Sequence, residues 1–350
     1  MLTRVDAARG NPLASPAQRG DTASMTTWSS DIWAGAEFRA RLLDFVRPVV
    51  GEPQRLELVS HRPWSAVWRV QAEGGASYAK QNCPGQSHEA YLMRALTLLA
   101  EDYVVPVLAA DAEHDLLLTA DLGPTLDERA GSADVDRWCA IVGRSADLQR
   151  RTQAAADDLG LTAMRPGEAS TYVADAIGRL GALPVDDPRH LEVADARRLA
   201  DLLPAVDRWS DRVDDLCLPL ALVHNDLHPG NVVGPDGDLR FLDFGDAVIG
   251  DPLANLLVPL DTAARELSAA PDDRRLRRIA DAGLEPWSDL ASPNELRAAL
   301  PASLQLARLA RVESWRRCVA TMTPAERKEY GGAPAGWLVS LLAPAPVGVT

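Results

Sequence analysis

Residues 222–251, LVHNDLHPGNVVGPDGDLRFLDFGDAVIGD, constrain this chain more than any other stretch. They hold the pattern His224-x-Asp226-x-x-x-x-Asn231, then a turn, then Asp243-Phe244-Gly245. Apolar Ala221–Val223 leads into the loop, and Val232–Val233 and Leu239–Leu242 read as short strands closed by the Gly234-Pro235-Asp236-Gly237 turn. Such a hairpin brings Asn231 and Asp243 to one mouth. A carboxylate and an amide oxygen are hard donors suited to Mg²⁺, which keeps several of its waters. Asp226, earlier on the loop, would face whatever reacts there. The spacing is that of a site holding the metal of a nucleoside triphosphate and orienting an attacking hydroxyl.

The remaining composition allows such a site and narrows its partners. A chain of 350 residues that is 47% hydrophobic has room for one large domain or two lobes. No apolar, uncharged run reaches the roughly 18 residues of a membrane span, so none is expected. Residues 1–25 are polar, carry Arg4, Arg9 and Arg19, and lack the apolar centre of a secretory signal. They read as a disordered leader, with Met25 as an alternative start. Cys83, Cys139, Cys217 and Cys318 stand far apart with no C-x-x-C, which suits reduced thiols in a cytoplasmic protein and gives structural zinc no support. The net charge of −14 argues against nucleic acid and reads first as a solvated acidic surface, second as a weak lean towards a cationic substrate.

Taken in order, residues 28–50 show apolar residues at mixed helical spacing and read as a helix ending before Pro48. Arg55–Val59, Ala66–Gln71 and Ser77–Gln81 read as antiparallel strands, and Val104–Leu108 and Asp115–Thr119 complete a five-stranded sheet. Lys80 lies in the run Ser77-Tyr78-Ala79-Lys80-Gln81, placed to reach phosphates as a point charge, or else an ordinary edge-strand lysine. Glu89 opens the helix that runs to Ala100; it suits a partner for Lys80, although a helix dipole alone also favours an acid there. Ala120-Asp121-Leu122-Gly123-Pro124 has the composition of a hinge whose backbone can meet a planar base. From residue 133 the period shifts towards that of helices, including Val193–Trp209 with a kink or break at Pro204 and Leu300–Val319 late in the chain. Arg274–Ala282 reads as an ion-paired solvated face, and the tail from Ala343 as frayed.

With these residues in hand, the chain resembles the aminoglycoside phosphotransferase family, the small-molecule branch of the protein-kinase-like fold that includes choline and homoserine kinases. The resemblance rests on His224-Asn225-Asp226-Leu227-His228-Pro229-Gly230-Asn231, Leu242-Asp243-Phe244-Gly245-Asp246 and Gly250-Asp251-Pro252, and spans residues 50–320. It implies an α+β, two-lobe fold: a leader at 1–25, a small antiparallel N-lobe at 26–119, a hinge at 120–124, a helical C-lobe at 125–342 and a tail at 343–350. It implies ATP or GTP with Mg²⁺, Asp226 as catalytic base, Asn231 and Asp243 as metal ligands, and Lys80 on the phosphates with Glu89 as partner. Ala120 and Leu122 would meet the base of the nucleotide. His224 would brace the catalytic loop from beneath, and His228 would brace it or approach the substrate.

Three departures qualify the match. Ser60-His61-Arg62-Pro63-Trp64-Ser65, where a phosphate-covering loop is expected, has no glycine, which leaves the backbone and the hydroxyls of Ser60 and Ser65 for phosphate contacts. Asn255 stands where the family commonly has Asp, which puts a loop-anchoring contact in question. No A-P-E segment follows Asp243, which argues against a protein substrate. The expected function is phosphorylation of a small-molecule hydroxyl, on an aminoglycoside or other cationic antibiotic; an amino alcohol, hydroxy amino acid or sugar remains open, as does a non-catalytic nucleotide-binding module. Neither nucleic acid nor membrane is expected as a partner, and the oligomeric state is left open.

Overall fold

The computed structural model describes residues 28–129 and 134–347, so the expected leader with Met25, and the last three residues of the tail, lie outside the described residues. The first half is an antiparallel sheet: β1 Arg55–Arg62, β2 Ser65–Ala72, β3 Gly75–Asn82, β4 Val107–Asp111 and β5 Leu116–Ala120, in the order β1-β2-β3-β5-β4. Before it comes α1, Ala36–Val50, whose Phe38, Leu42 and Val46 pack with Trp68, Val70 and Leu118 of the sheet. Between β3 and β4 lies α2, Glu89–Ala100, which buries Ala90, Leu92, Met93, Ala95, Leu96 and Ala100.

The second half is helical. It comprises α3 Val135–Thr152, α4 Ala169–Gly181, α5 Val193–Asp214, α6 Leu257–Glu266, α7 Arg274–Leu284, α8 Pro293–Thr321, α9 Pro324–Tyr330 and α10 Ala333–Val339. The starts of α8 and α9 carry capping boxes, Ser292 with Glu295 and Thr323 with Glu326, each with proline at the first helical position, where no N–H is missed. Short strands β6 Ala163–Met164, β7 Ala221–Val223, β8 Val232–Val233, β9 Arg240–Phe241 and β10 Val248–Gly250 frame the central loop. Strands β7, β10 and β6 form one small sheet and β8 pairs with β9. Among the described residues no helix is long and apolar enough to cross a membrane.

Several expectations are corrected. Helix α1 runs through Pro48 and α5 through Pro204 without a break. Each proline leaves one carbonyl without its helical donor, but Asp44 and Ala200, four residues back, lie on exposed faces where water can serve. The segment Ser60–Ser65 is no loop: β1 and β2 continue to a two-residue turn at Pro63-Trp64, with Ser60 opposite Val67 and Arg62 opposite Ser65. Trp64 at that turn packs edge-on to Trp315, 5.3 Å away, and Tyr330, 5.1 Å away, so the tip rests on α8 and α9. The tail is held rather than frayed up to Val347: Ala345 and Val347 join the main core. There Arg308 donates to the carbonyls of Ala343 and Pro344, 2.7 Å each, and of Ser340.

The buried Asp251 gives a test of the core's charge balance. Burial lifts its carboxyl to about 6, against the donated hydrogen bonds of Ser303 Oγ and the Leu253 N–H, with the charge of Asp214 adding to the rise. An unfolded Asp titrates near about 3.9, so from about pH 4 to pH 6 the unfolded chain binds fewer protons and folding stability falls as pH rises. Asparagine at 251 can accept from Leu253 and donate to Ser303 while carrying no charge. The substitution Asp251→Asn is therefore expected to gain melting temperature over wild type as pH rises from 4 to 7, by a few degrees, in parallel thermal melts.

Candidate active site

The β8–β9 hairpin forms as the turn residues require, with Val232 opposite Phe241 and Val233 opposite Arg240. Leu242 N donates to the Asn231 carbonyl at 3.1 Å, which places Asp243 beside Asn231 at the hairpin's open end. Asn231 Nδ2 donates to the backbone oxygen of Asp226 at 2.9 Å, closing the loop back on itself. Asp226, Asn231 and Asp243 thus meet at one place. Backbone geometry reflects the tightness: Asn225 at φ 65° and Asp243 at φ 64° both sit in the left-handed region, where Asn and Asp are the best tolerated of the residues with a Cβ.

Lys80 reaches across from β3. Its ammonium lies 2.6 Å from both Glu89 Oε2 and Asp243 Oδ1, so the expected Lys80–Glu89 pair forms and extends to Asp243. Burial works against the charge on Lys80, but Asp243 and Glu89 outweigh it and hold the pKa well above the ordinary lysine value. Asp243 is pushed up by burial, yet the charge and hydrogen bond of Lys80 bring it below the usual carboxylate range, so it is ionised. Glu89 is fixed in turn: its Oε1 accepts from Phe244 N at 2.8 Å and its Oε2 from Asn82 Nδ2 at 2.7 Å. Asp115 supports the same corner by accepting from Ala90 N and from Asn82, and burial lifts it to about 7.

These carboxylates and the amide also meet a chemical test for a metal. Both contacts of Asn231's side chain, to the Asp226 carbonyl and towards His228, use Nδ2, which leaves the amide oxygen to face a cation beside ionised Asp243. One carboxylate and one neutral oxygen suit Mg²⁺, whose remaining positions are normally filled by phosphate and water.

The two histidines have different duties. His224 is buried against Phe244, ring centroids 4.5 Å apart, and burial lowers its pKa, so it is neutral and donates from Nε2 to the Leu242 carbonyl at 3.0 Å. Its backbone N–H donates to Asn255 Oδ1 at 2.9 Å, while Asn255 Nδ2 donates to Ser145 Oγ at 2.8 Å. Asn255 therefore does anchor the loop, and the amide supplies a donor that an ionised Asp would lack. His228 accepts from Gly230 N through Nδ1 at 3.1 Å, bracing the loop, and its Nε2 is 3.7 Å from Asp226 Oδ2, so it also borders the reacting side.

Two cavities flank the cluster. One, of about 230 Å³, lies between the halves and is lined by Val67, Met93, Leu117 and Leu242, with Lys80, Glu89 and Asp243 at one end and Ala120 and Leu122 at the other. Its apolar walls suit a planar base and its charged end suits phosphates. Ser60 and Ser65 are not among its lining residues; as paired strand residues they are held in the sheet, so their expected hydroxyl contacts find no support. The second cavity, of about 490 Å³, holds Asp226 and His228 with Asp127, Asp261, Glu266, Arg308, Arg311 and Trp337.

Sequence reasoning passed over Arg311, Asp246 and Gln86. Buried Arg311 donates from Nη1 to the Asn225 carbonyl at 2.7 Å and to Asp246 Oδ2 at 2.9 Å, and that same nitrogen lies 3.1 Å from Asp226 Oδ1. Asp226 is pushed above the ordinary range by loss of solvent, held back by Arg311 and raised again by Asp246. A signal for Arg311 existed: charged residues at 308 and 311 interrupt the apolar run Leu304, Leu306, Leu309, Val312 on a helix whose whole girth is buried.

Comparison with known proteins follows from this geometry. A family model described as Phosphotransferase enzyme family matches residues 61–291. Among solved structures, a macrolide 2′-phosphotransferase type I is 15% identical, covering 90% of this chain and 99% of its own, with a TM-score of 0.55. A choline kinase LicA from Streptococcus pneumoniae is 14% identical, covering 88% and 99%, at 0.53. An amicoumacin kinase hAmiN in complex with AMP-PNP, Ca²⁺ and Ami is 13% identical, covering 89% and 98%, at 0.53. At these identities the likeness shows the protein-kinase-like fold. A search of curated proteins returns no match.

Proposed function

Because the chain belongs to the phosphotransferase enzyme family, whose members transfer phosphate to hydroxyl groups of small molecules, we propose that it is an ATP-dependent, Mg²⁺-requiring kinase of an aminated small molecule. The observation that carries this reading is the convergence of Asp226, Asn231 and Asp243 opposite Lys80, with separate cavities on the two sides of the cluster.

In this reading the adenine enters the apolar cavity towards Ala120 and Leu122, and Lys80, held by Glu89, directs the phosphates towards Asp243. Asn231 and Asp243 would hold Mg²⁺, which would supply charge neutralisation on the phosphate oxygens. Asp226 accepts a hydrogen bond from the acceptor hydroxyl, aligns it in line with the terminal phosphate and takes its proton late in transfer. His224 and Asn255 keep the loop in register beneath.

The acceptor cavity supports the aminated class. Its acids Asp127, Asp261 and Glu266 lie on the same cavity as Asp226; Asp261 is paired with Arg265 and Glu266 accepts from Trp138 Nε1, while Asp127 has no ion pair or side-chain hydrogen bond among the described residues and faces the cavity as its unpaired acid. Among the structural relatives, the names of an aminoglycoside phosphotransferase and a choline kinase point to nitrogen-bearing acceptors, and that of a macrolide phosphotransferase to an antibiotic. The deciding experiment is an ADP-release screen with Mg²⁺-ATP over aminoglycosides, macrolides, amino alcohols, hydroxy amino acids and sugars. Turnover confined to aminated acceptors is the expected result; a preference for neutral sugars would overturn the class, and no ADP release across the panel, with nucleotide binding retained, would favour a non-catalytic module.

A further inference from the structure

Besides Lys80 and Glu89, the N-terminal half meets the reacting side of the molecule through the turn that follows β3. Pro84–Gln86 forms a 3₁₀ turn, and a Cβ added at Gly85 would come 2.2 Å from the Arg317 carbonyl oxygen and 3.0 Å from Cys318 N. Only glycine allows this backbone to seat on α8, and the seat fixes the next residue, Gln86, which is 4% exposed. Its Oε1 packs against Gly245, where a Cβ would lie 3.2 Å away, and its Nε2 donates to Asp246 Oδ1. Asp246 Oδ1 also accepts from Ser314 Oγ, while Oδ2 accepts from Arg311 Nη1. That same Arg311 nitrogen reaches the Asn225 carbonyl and Asp226 Oδ1, and Asn225 Nδ2 closes the circuit by donating to the Asp246 carbonyl at 3.1 Å.

We propose that Gln86 is a positioning residue for Asp226: through Asp246 and Arg311 the N-terminal lobe holds the base, so that seating of that lobe and alignment of the base are one event. The inference rests on Asp226 being the base of the phosphotransfer reaction. Gln86 lines neither the nucleotide cavity nor the acceptor cavity, and its side chain meets the reacting side at Asp246 and Gly245 rather than at a ligand. Gln86, Asn225 and Arg311 are buried and Asp246 is largely so, and there a hydrogen bond to a charged group is strong and its replacement by a like charge is costly. Asn225, at φ 65°, cannot hold its conformation by preference alone, so loss of the relay frees the loop to relax and move the base.

The test is a pair of near-isosteric exchanges. Gln86→Glu keeps the shape but turns a carboxylate towards Asp246; because a displacement of about 1 Å can cost on the order of 10²-fold, kcat should fall by about 30-fold, with nucleotide Kd and acceptor KM changed by less than about threefold. Adding Asp246→Asn to that variant exchanges amide and carboxylate between the two positions, gives the carboxylate at 86 a donor again, keeps an oxygen for Arg311 with Ser314 Oγ turned to accept instead of donate, and returns the total charge to its original value. The double variant should regain at least about tenfold in kcat, which a role in packing alone would not produce. An unchanged kcat in Gln86→Glu, or no recovery in the double variant, would overturn the proposal. Hydrogen exchange at 225–231 reads the relay without any turnover: protection should drop in Gln86→Glu and return in the double variant. If wild type phosphorylates nothing, the kinase reading falls while the exchange data alone decide the relay.

Discussion

Asp226→Asn is expected to lower kcat by about 10³-fold, the middle of the range for loss of a general base, while nucleotide Kd stays within about threefold. The substitution is isosteric. The amide oxygen can still receive Arg311, and the backbone carbonyl of residue 226 still receives Asn231, so the loop keeps its shape. What disappears is the ability to take a proton from the acceptor hydroxyl. Asp226 does not line the nucleotide cavity, which is why binding and turnover should separate. Isothermal titration with an ATP analogue beside steady-state kinetics reads both quantities, and a variant with near-normal kcat would remove Asp226 from the mechanism.

Asp243→Asn should be of similar size but with a different signature. It replaces the only charged donor proposed for the metal and takes one of two carboxylates from Lys80, leaving that ammonium to Glu89. The Mg²⁺ concentration giving half-maximal rate should rise by tenfold or more, and kcat/KM at fixed Mg²⁺ by about 10³-fold should be lost, in line with removal of electrostatic stabilisation at a phosphoryl-transfer site. A Mg²⁺ titration of initial rates reads this directly. An unchanged Mg²⁺ dependence would move the metal away from Asp243.

Much of the cluster was legible because its geometry is local. From His224 to Asp243 the relevant residues lie on one loop and one hairpin, and glycine, proline and aspartate at the turn dictate how those fold. Lys80 and Glu89 were legible for a similar reason, lying at the end of one strand and the start of the next helix. The reading failed where the answer depends on a distant partner. Prolines 48 and 204 were taken to end or break helices, but their freed carbonyls fall on exposed faces. Ser60–Ser65 reads as a loop from its place in the kinase pattern, and nothing local shows the hairpin whose tip is stabilised by Trp315 and Tyr330, far along the chain. Arg311 was hidden most deeply, since nothing near residue 311 announces that α8 passes beneath the loop carrying Asp226. Asp246 stood inside the matching motif without an assigned duty, and only the placement of α8 and of Gln86 gives it one.

The anchorage of the last described segment by Arg308 separates two kinds of change open to such a protein. Guanidinium-to-carbonyl bonds hold residues 340–344 by their backbone, whatever their side chains, and the strand so held brings Pro346 to the wall of the acceptor cavity. Ser340 and Pro346, which line that cavity, can be exchanged to reshape its wall while Leu341, Ala345 and Val347 keep the segment in the core, so in the proposed reading the choice of molecule and the act of transfer are written in different parts of the polypeptide.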